Sequence, residues 1–195
     1  MDASSKNLNP QQLFADAQAL AEQQRLWGAA DVLMSGFAQL GDAADAPQTD
    51  SLGRPIRGSA PRLMDKAADW LDFLDNLEAD GQESPEGTPP RDLRWAQWHT
   101  LTGQAEVRRQ HPGRAVDHLE LAAGLFESEE LYLQAVPLLA QVAQCQLAVD
   151  DVPRAEDALH RARTLTTRDH TTAQQARDRF GEALDEIAAD IASRL

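Results

Sequence analysis

Five histidines, one cysteine and many carboxylates are the residues that could carry chemistry in this chain. His111 and His118 lie seven positions apart with Asp117 beside them, a spacing of about two helical turns. Zinc needs three or four converging ligands, and His111 sits in a turn next to Pro112, so the two rings need not share a face. Cys145 falls inside an apolar helical pattern and reads as a buried structural thiol. Asp65, Asp69, Asp72, Asp75 and Glu78 form an acidic stripe, which is more often a solvated face than a docking site for a basic partner. Arg154, Arg161, Arg163 and Arg168 form a local basic cluster, expected to pair with Glu156 and Asp157. Trp95 and Trp98, one turn apart, suit core packing better than an aromatic shelf. There is no glycine-rich phosphate loop, no serine elbow and no His-Glu zinc helix. The carboxylates flank apolar stripes and are not enclosed by them, so nothing raises a pKa for acid–base work. The expectation is a non-enzymatic protein with no cofactor.

Composition narrows the partners. The 195 residues carry a formal charge of −14, with 42% hydrophobic and 26% charged positions. Phosphate recognition rests on basic side chains, so nucleic acid and anionic membranes are poor partners. No apolar run approaches the ~18 residues of a membrane span. Met1–Asn9 is polar without an apolar core, so no secretion signal is expected and a cytoplasmic location follows by default.

The elements that would position these residues are helical. Alanine, leucine, glutamine and arginine dominate, and no long stretch alternates with period two. Residues 1–41 read as a helical hairpin, with Leu13, Phe14, Ala17, Leu20 and Ala21 as the apolar face of its first helix and Ala29, Val32, Leu33, Gly36, Phe37 and Leu40 as that of its second. Residues 42–60 read as a flexible loop and 79–92 as a linker, both rich in proline and glycine. Between them, 61–78 is an amphipathic acidic helix started by Pro61, with Leu63, Met64, Ala67, Trp70, Leu71, Leu74 and Leu77 as its stripe. Residues 93–195 hold two tandem hairpins and a last helix, whose start is assigned to a Thr172–Gln175 capping box. The third helix of that region is apolar nearly all round, with Pro137 inside it.

Gly103, Ala115, Leu119 and Ala122 recur as Ala143, Ala155, Leu159 and Ala162, and more loosely as Ala17, Ala29, Leu33 and Gly36. This pattern resembles the tetratricopeptide repeat, in which small residues let helix A and helix B approach closely. The tandem copies are 40 residues apart, against a usual family period of about 34. The family's tryptophan position holds His99 and Leu139, its tyrosine position holds Glu106 and Gln146, and its terminal proline is absent. The resemblance implies an all-α, right-handed array of antiparallel hairpins, closed by a C-terminal capping helix. Helices A would line a groove for a peptide or helix of a partner protein. The groove positions it implies are Gln97, Thr100, Gln104, Arg108 and Gln144, with Gln18 at the same offset in the N-terminal copy. Glutamine amides donate and accept at once, which suits a peptide backbone, and Arg108 could meet a partner's carboxylate. Two alternatives stand beside this adaptor or chaperone-like reading. One is a homodimer through the apolar face of the C-terminal helix, and the other is a small-molecule sensor near Trp95 and Trp98.

Overall fold

In the computed structural model, residues 10–40, 48–49, 55–56 and 59–195 are described. The chain divides into two units, Met1–Arg91 and Asp92–Leu195. Its order is α1 (Pro10–Glu22), α2 (Leu26–Leu40), β1 (Gln48–Thr49), β2 (Pro55–Ile56), α3 (Ser59–Ala79), α4 (Arg91–Arg108), α5 (Pro112–Ser128), α6 (Tyr132–Ala148), α7 (Val152–Thr166) and α8 (Thr171–Arg194). No helix among the described residues is long and apolar enough to cross a membrane.

In the first unit α2 packs on both α1 and α3, while α1 and α3 barely meet. The stripes read from periodicity are the ones that bury: Ala17, Ala29, Leu33 and Phe37 from the hairpin, and Leu63, Ala67, Leu71 and Leu74 from α3. Leu13 of α1 lies over Gly36 of α2, where an added Cβ would come within 2.4 Å of its Cδ1. The third helix begins at Ser59, two residues before Pro61, so the proline sits inside the first turn, where its missing N–H is harmless. Within the expected 42–60 loop, β1 and β2 form a short antiparallel ladder, Gln48 opposite Ile56 and Thr49 opposite Pro55. Of the other positions in that expected loop, Ser59 and Ala60 belong to α3, and the remainder lie outside the described residues.

The second unit is tandem antiparallel hairpins with a C-terminal helix. Its centre is α6, which packs on α5, α7 and α8, while α7 also packs on α8. Ten of its seventeen residues are buried, which accounts for a helix that is apolar on nearly every side. It runs continuously through Pro137. Each fully buried leucine or valine here stabilises by roughly 1.5–3 kcal/mol.

A strict beat underlies this packing. Helices α5, α6 and α7 begin at Pro112, Tyr132 and Val152, twenty residues apart, each after a three-residue turn. The middle residue of each turn is left-handed: Gln110, Glu130 and Asp150 have φ of 60°, 57° and 57°. Every turn closes with the same backbone bond, from His111 N to Glu106 O at 2.9 Å, Leu131 N to Phe126 O at 2.8 Å and Asp151 N to Gln146 O at 2.9 Å. That bond, from the last residue of the turn to a carbonyl five back, satisfies acceptors the helix end leaves over. Two seventeen-residue helices and two such turns account for the 40-residue repeat.

The start of α8 corrects the sequence expectation. Its cap is His170, whose imidazole Nδ1 accepts from the Thr172 amide at 3.2 Å. Thr172 serves a different purpose: its hydroxyl donates to Glu130 O at 2.7 Å and accepts from Tyr132 N at 3.3 Å. At the other end, Arg194 Nη1 donates to Leu147 O at 2.8 Å. The last helix therefore supplies partners to both ends of α6.

Candidate functional site

Three features of the second unit could do chemistry or bind, and each grows from the helix register. The first is the α4–α5 seam. Gly103 has no Cβ, so Leu119 and His118 of α5 settle on it; a Cβ there would stand 2.8 Å from Leu119 Cγ and Cδ2. Ala115, Ala143 and Ala155 are fully buried. Close approach at Gly103 brings His99 and His118 together, Nδ1 to Nδ1 at 2.9 Å. One ring donates and the other accepts, so at least one is uncharged. Burial, and then the neighbouring His118, lower the His99 pKa to about 4. Trp98 packs edge-on against both rings, and Trp95 edge-on against Trp98 at 5.8 Å. The tryptophans are thus part of a half-buried aromatic cluster rather than an open shelf.

The second feature is Glu106, a buried carboxylate at the C-terminal end of α4. Burial alone would raise its pKa, but hydrogen bonds from Arg109 at 2.6 Å and His111 at 3.0 Å outweigh it and hold the pKa below the usual value. An ionised, twice-bonded carboxylate is a structural anchor for the turn, not a proton donor. His111 therefore serves Glu106 while His118 serves His99, and the two do not converge. Among the described residues no group of three or more His, Cys, Asp or Glu is placed to hold a metal.

The third feature is a groove along α4, α6 and α8. Two depressions lie side by side in it. One, of about 420 Å³, is lined by Val107, Gln110, Pro112, Gln141, Gln144, Cys145 and Ala148. The other, of about 350 Å³, runs between α6 and α8 and includes Ala183, Glu186, Ile187, Asp190 and Arg194. Gln144 and Ala148 belong to both. The first carries no formal charge and is edged by three glutamine amides. Burial raises the pKa of the Cys145 thiol, so it is a neutral, weakly reactive wall of that depression. In the second, Arg194 is engaged by Asp190 at 3.1 Å and Asp150 at 3.5 Å. Glu186 has no ion-pair partner among the described residues.

Of the expected groove positions, Gln144 stands at the junction of the two depressions and is exposed. Gln97 and Arg108 are exposed on α4, and Gln104 is half-buried there. Thr100 is half-buried and spends its hydroxyl on Ala96 O at 2.7 Å. Gln18 is exposed on α1, in the other unit, and donates to Glu22 at 3.3 Å. Among the described residues these five do not line either depression. Sequence reading missed Gln110, Gln141, Glu186 and Asp190. The signal was present: Gln141, Gln144 and Ala148 lie at i, i+3 and i+7 on α6, a polar-to-small strip in an otherwise apolar helix.

One further expectation is corrected. The arginine cluster does not pair with Glu156 and Asp157. Arg154 meets Asp151 at 3.6 Å, Arg161 meets Glu127 of α5 at 3.0 Å, and Arg163 meets Asp185 of α8. The apolar face of α8 is also spoken for, because Ala173, Ala176, Leu184, Ile187 and Ile191 are buried within their own chain. A homodimer through that face would require pulling it off α6 and α7. A scan against protein-family models gave no match, and searches of the curated proteins and of the solved structures gave none either.

Proposed function

We propose that the second unit is a tetratricopeptide-like, right-handed array and serves as a non-enzymatic interaction module. Helices α4, α6 and α8 act as successive helices A, and the groove along them holds a peptide or helix of a partner protein. The observation that carries this reading is the pair of adjoining depressions that meet at Gln144 and Ala148. Their volumes lie within the roughly 300–1,000 Å³ range of binding pockets, yet both are shallow surface features better shaped for side chains of a longer ligand. Helix α8, read from the sequence as a cap, fits this scheme as a third rail: Gly103, Ala143 and Ala183 fall at the same 40-residue interval. Gln97, Gln104 and Arg108 extend the docking surface along α4 beyond the first depression.

Selection of displayed twelve-residue peptides on the intact chain tests this. Enriched peptides should bind the wild type and lose at least tenfold in affinity against Ala148→Arg, which fills the shared floor from an exposed position. The melting temperature should not change. Absence of enrichment, or equal binding to both proteins, refutes the groove.

A further inference from the structure

Resting on that groove reading, we infer the chemistry of its occupant: a segment that places an aliphatic side chain beside a lysine or arginine. The first depression supplies the argument for the apolar anchor. Its walls include Val107, Pro112, Cys145 and Ala148 and no charged group, so a charged side chain entering it would lose water without gaining a partner. Val107 remains 41% exposed, so apolar surface is left open there.

The second depression supplies the argument for the cation. Glu186 and Asp190 face it, and the one cation among its lining residues, Arg194, already bridges Asp190, Asp150 and Leu147 O. Counting those four side chains, one positive charge stands against three negative ones. Glu186 is the uncompensated group, and it is exposed. A basic residue of the occupant completes this set; an acidic one is repelled. A second copy of this chain is a poor occupant for the same reason, since each copy carries a net charge of −14.

The glutamine amides of α6 supply the part of the groove that reads backbone. Gln141 lines the first depression, and its Oε1 is shut off from water with no hydrogen-bond partner among the described residues. A buried acceptor in that condition gains from any N–H brought to it. The terminal amide torsion of glutamine is soft, so Oε1 can swing toward a main-chain donor. Gln144, at the junction, can accept and donate at once. The apolar seat with its amides and the acidic seat thus adjoin at Gln144 and Ala148.

Fluorescence anisotropy with three labelled twelve-residue peptides tests the assignment on the full chain. All contain the same leucines; one carries lysines, one glutamates and one only serines. The lysine peptide should bind at least tenfold more tightly than the glutamate peptide at low salt, with the serine peptide between. Raising the salt from 50 to 500 mM should narrow the gap, because exposed charges are screened within about 10 Å at 0.1 M. Glu186→Lys, at an exposed site, should weaken the lysine peptide by roughly three- to tenfold and strengthen the glutamate peptide. Gln141→Leu should weaken all three peptides alike. Binding that ignores charge, or favours glutamate, overturns the assigned occupant while leaving the groove reading intact. If no peptide of any charge binds, and Ala148→Arg changes nothing, both fall together.

Discussion

Acidification should loosen the α4–α5 seam, and His99 is the group that makes it do so. Burial and the neighbouring His118 hold its pKa at about 4, against 6.5 for a free imidazole. The unfolded chain therefore takes up this proton first. The stability that His99 contributes is full above about pH 6.5 and is lost as the pH falls toward about 4. At pH 5 the linkage gives an upper bound of about 2 kcal/mol, and half-burial of the ring reduces this to about 1 kcal/mol. That is a sizeable fraction of the roughly 5–15 kcal/mol that holds a domain together. The assay is urea unfolding at pH 7.5 and 5.0, followed by tryptophan fluorescence in a Trp27→Phe, Trp70→Phe background, so that only Trp95 and Trp98 on α4 report. The same experiment on His99→Phe subtracts the titrating groups that do not touch His99, Glu106 included. The variant should lose about 1 kcal/mol less than the parent between the two pH values. Parallel losses in the two proteins would refute the reasoning, as would an NMR titration that finds His99 protonated at pH 6.

Two other substitutions read the backbone geometry. Gly103→Ala should gain about 1 kcal/mol in helix propensity but lose about 1–3 kcal/mol against Leu119, for a net loss near 1 kcal/mol in urea unfolding; a net gain would show that the helices are not in close contact there. Glu130→Gly and Asp150→Gly relieve a left-handed residue, and after the greater freedom of the unfolded chain is subtracted each should stabilise by about 0.5 kcal/mol; destabilisation of both would contradict the turn conformation.

Periodicity disclosed most of the helices, because each must bury a stripe. Leu63, Leu71 and Leu74 on α3, or Ala173, Ala176 and Ile187 on α8, could be assigned to a core without knowing what covers them. The small-residue pattern disclosed the hairpin contact, although the structure seats Leu119 on Gly103 and, with helices exchanged, Leu13 on Gly36. Contacts between distant residues were not legible. Nothing local says that Thr172 leaves its own helix to bind Glu130 and Tyr132, or that His99 will find His118 nineteen residues away. The groove was only partly readable for a related reason. Family offsets reached Gln144, but Glu186 and Asp190 enter only once α8 is laid alongside α6, which depends on turn geometry. Those turns carry glutamine, glutamate and aspartate at the left-handed position, where glycine is the usual signal, so the sequence concealed their uniformity.

The fastening of α8 at both of its ends bears on how the chain responds to force. Thr172 grips the entrance of α6 and Arg194 its exit, 22 residues apart along one rod. A pull on the C-terminus meets the Arg194 clasp first, and peeling α8 then strips a carbonyl partner from α6 before any other helix is disturbed. Such an arrangement resists shear better than unzipping, and an optical trap would see a high rupture force in one pulling direction and a low one in the other.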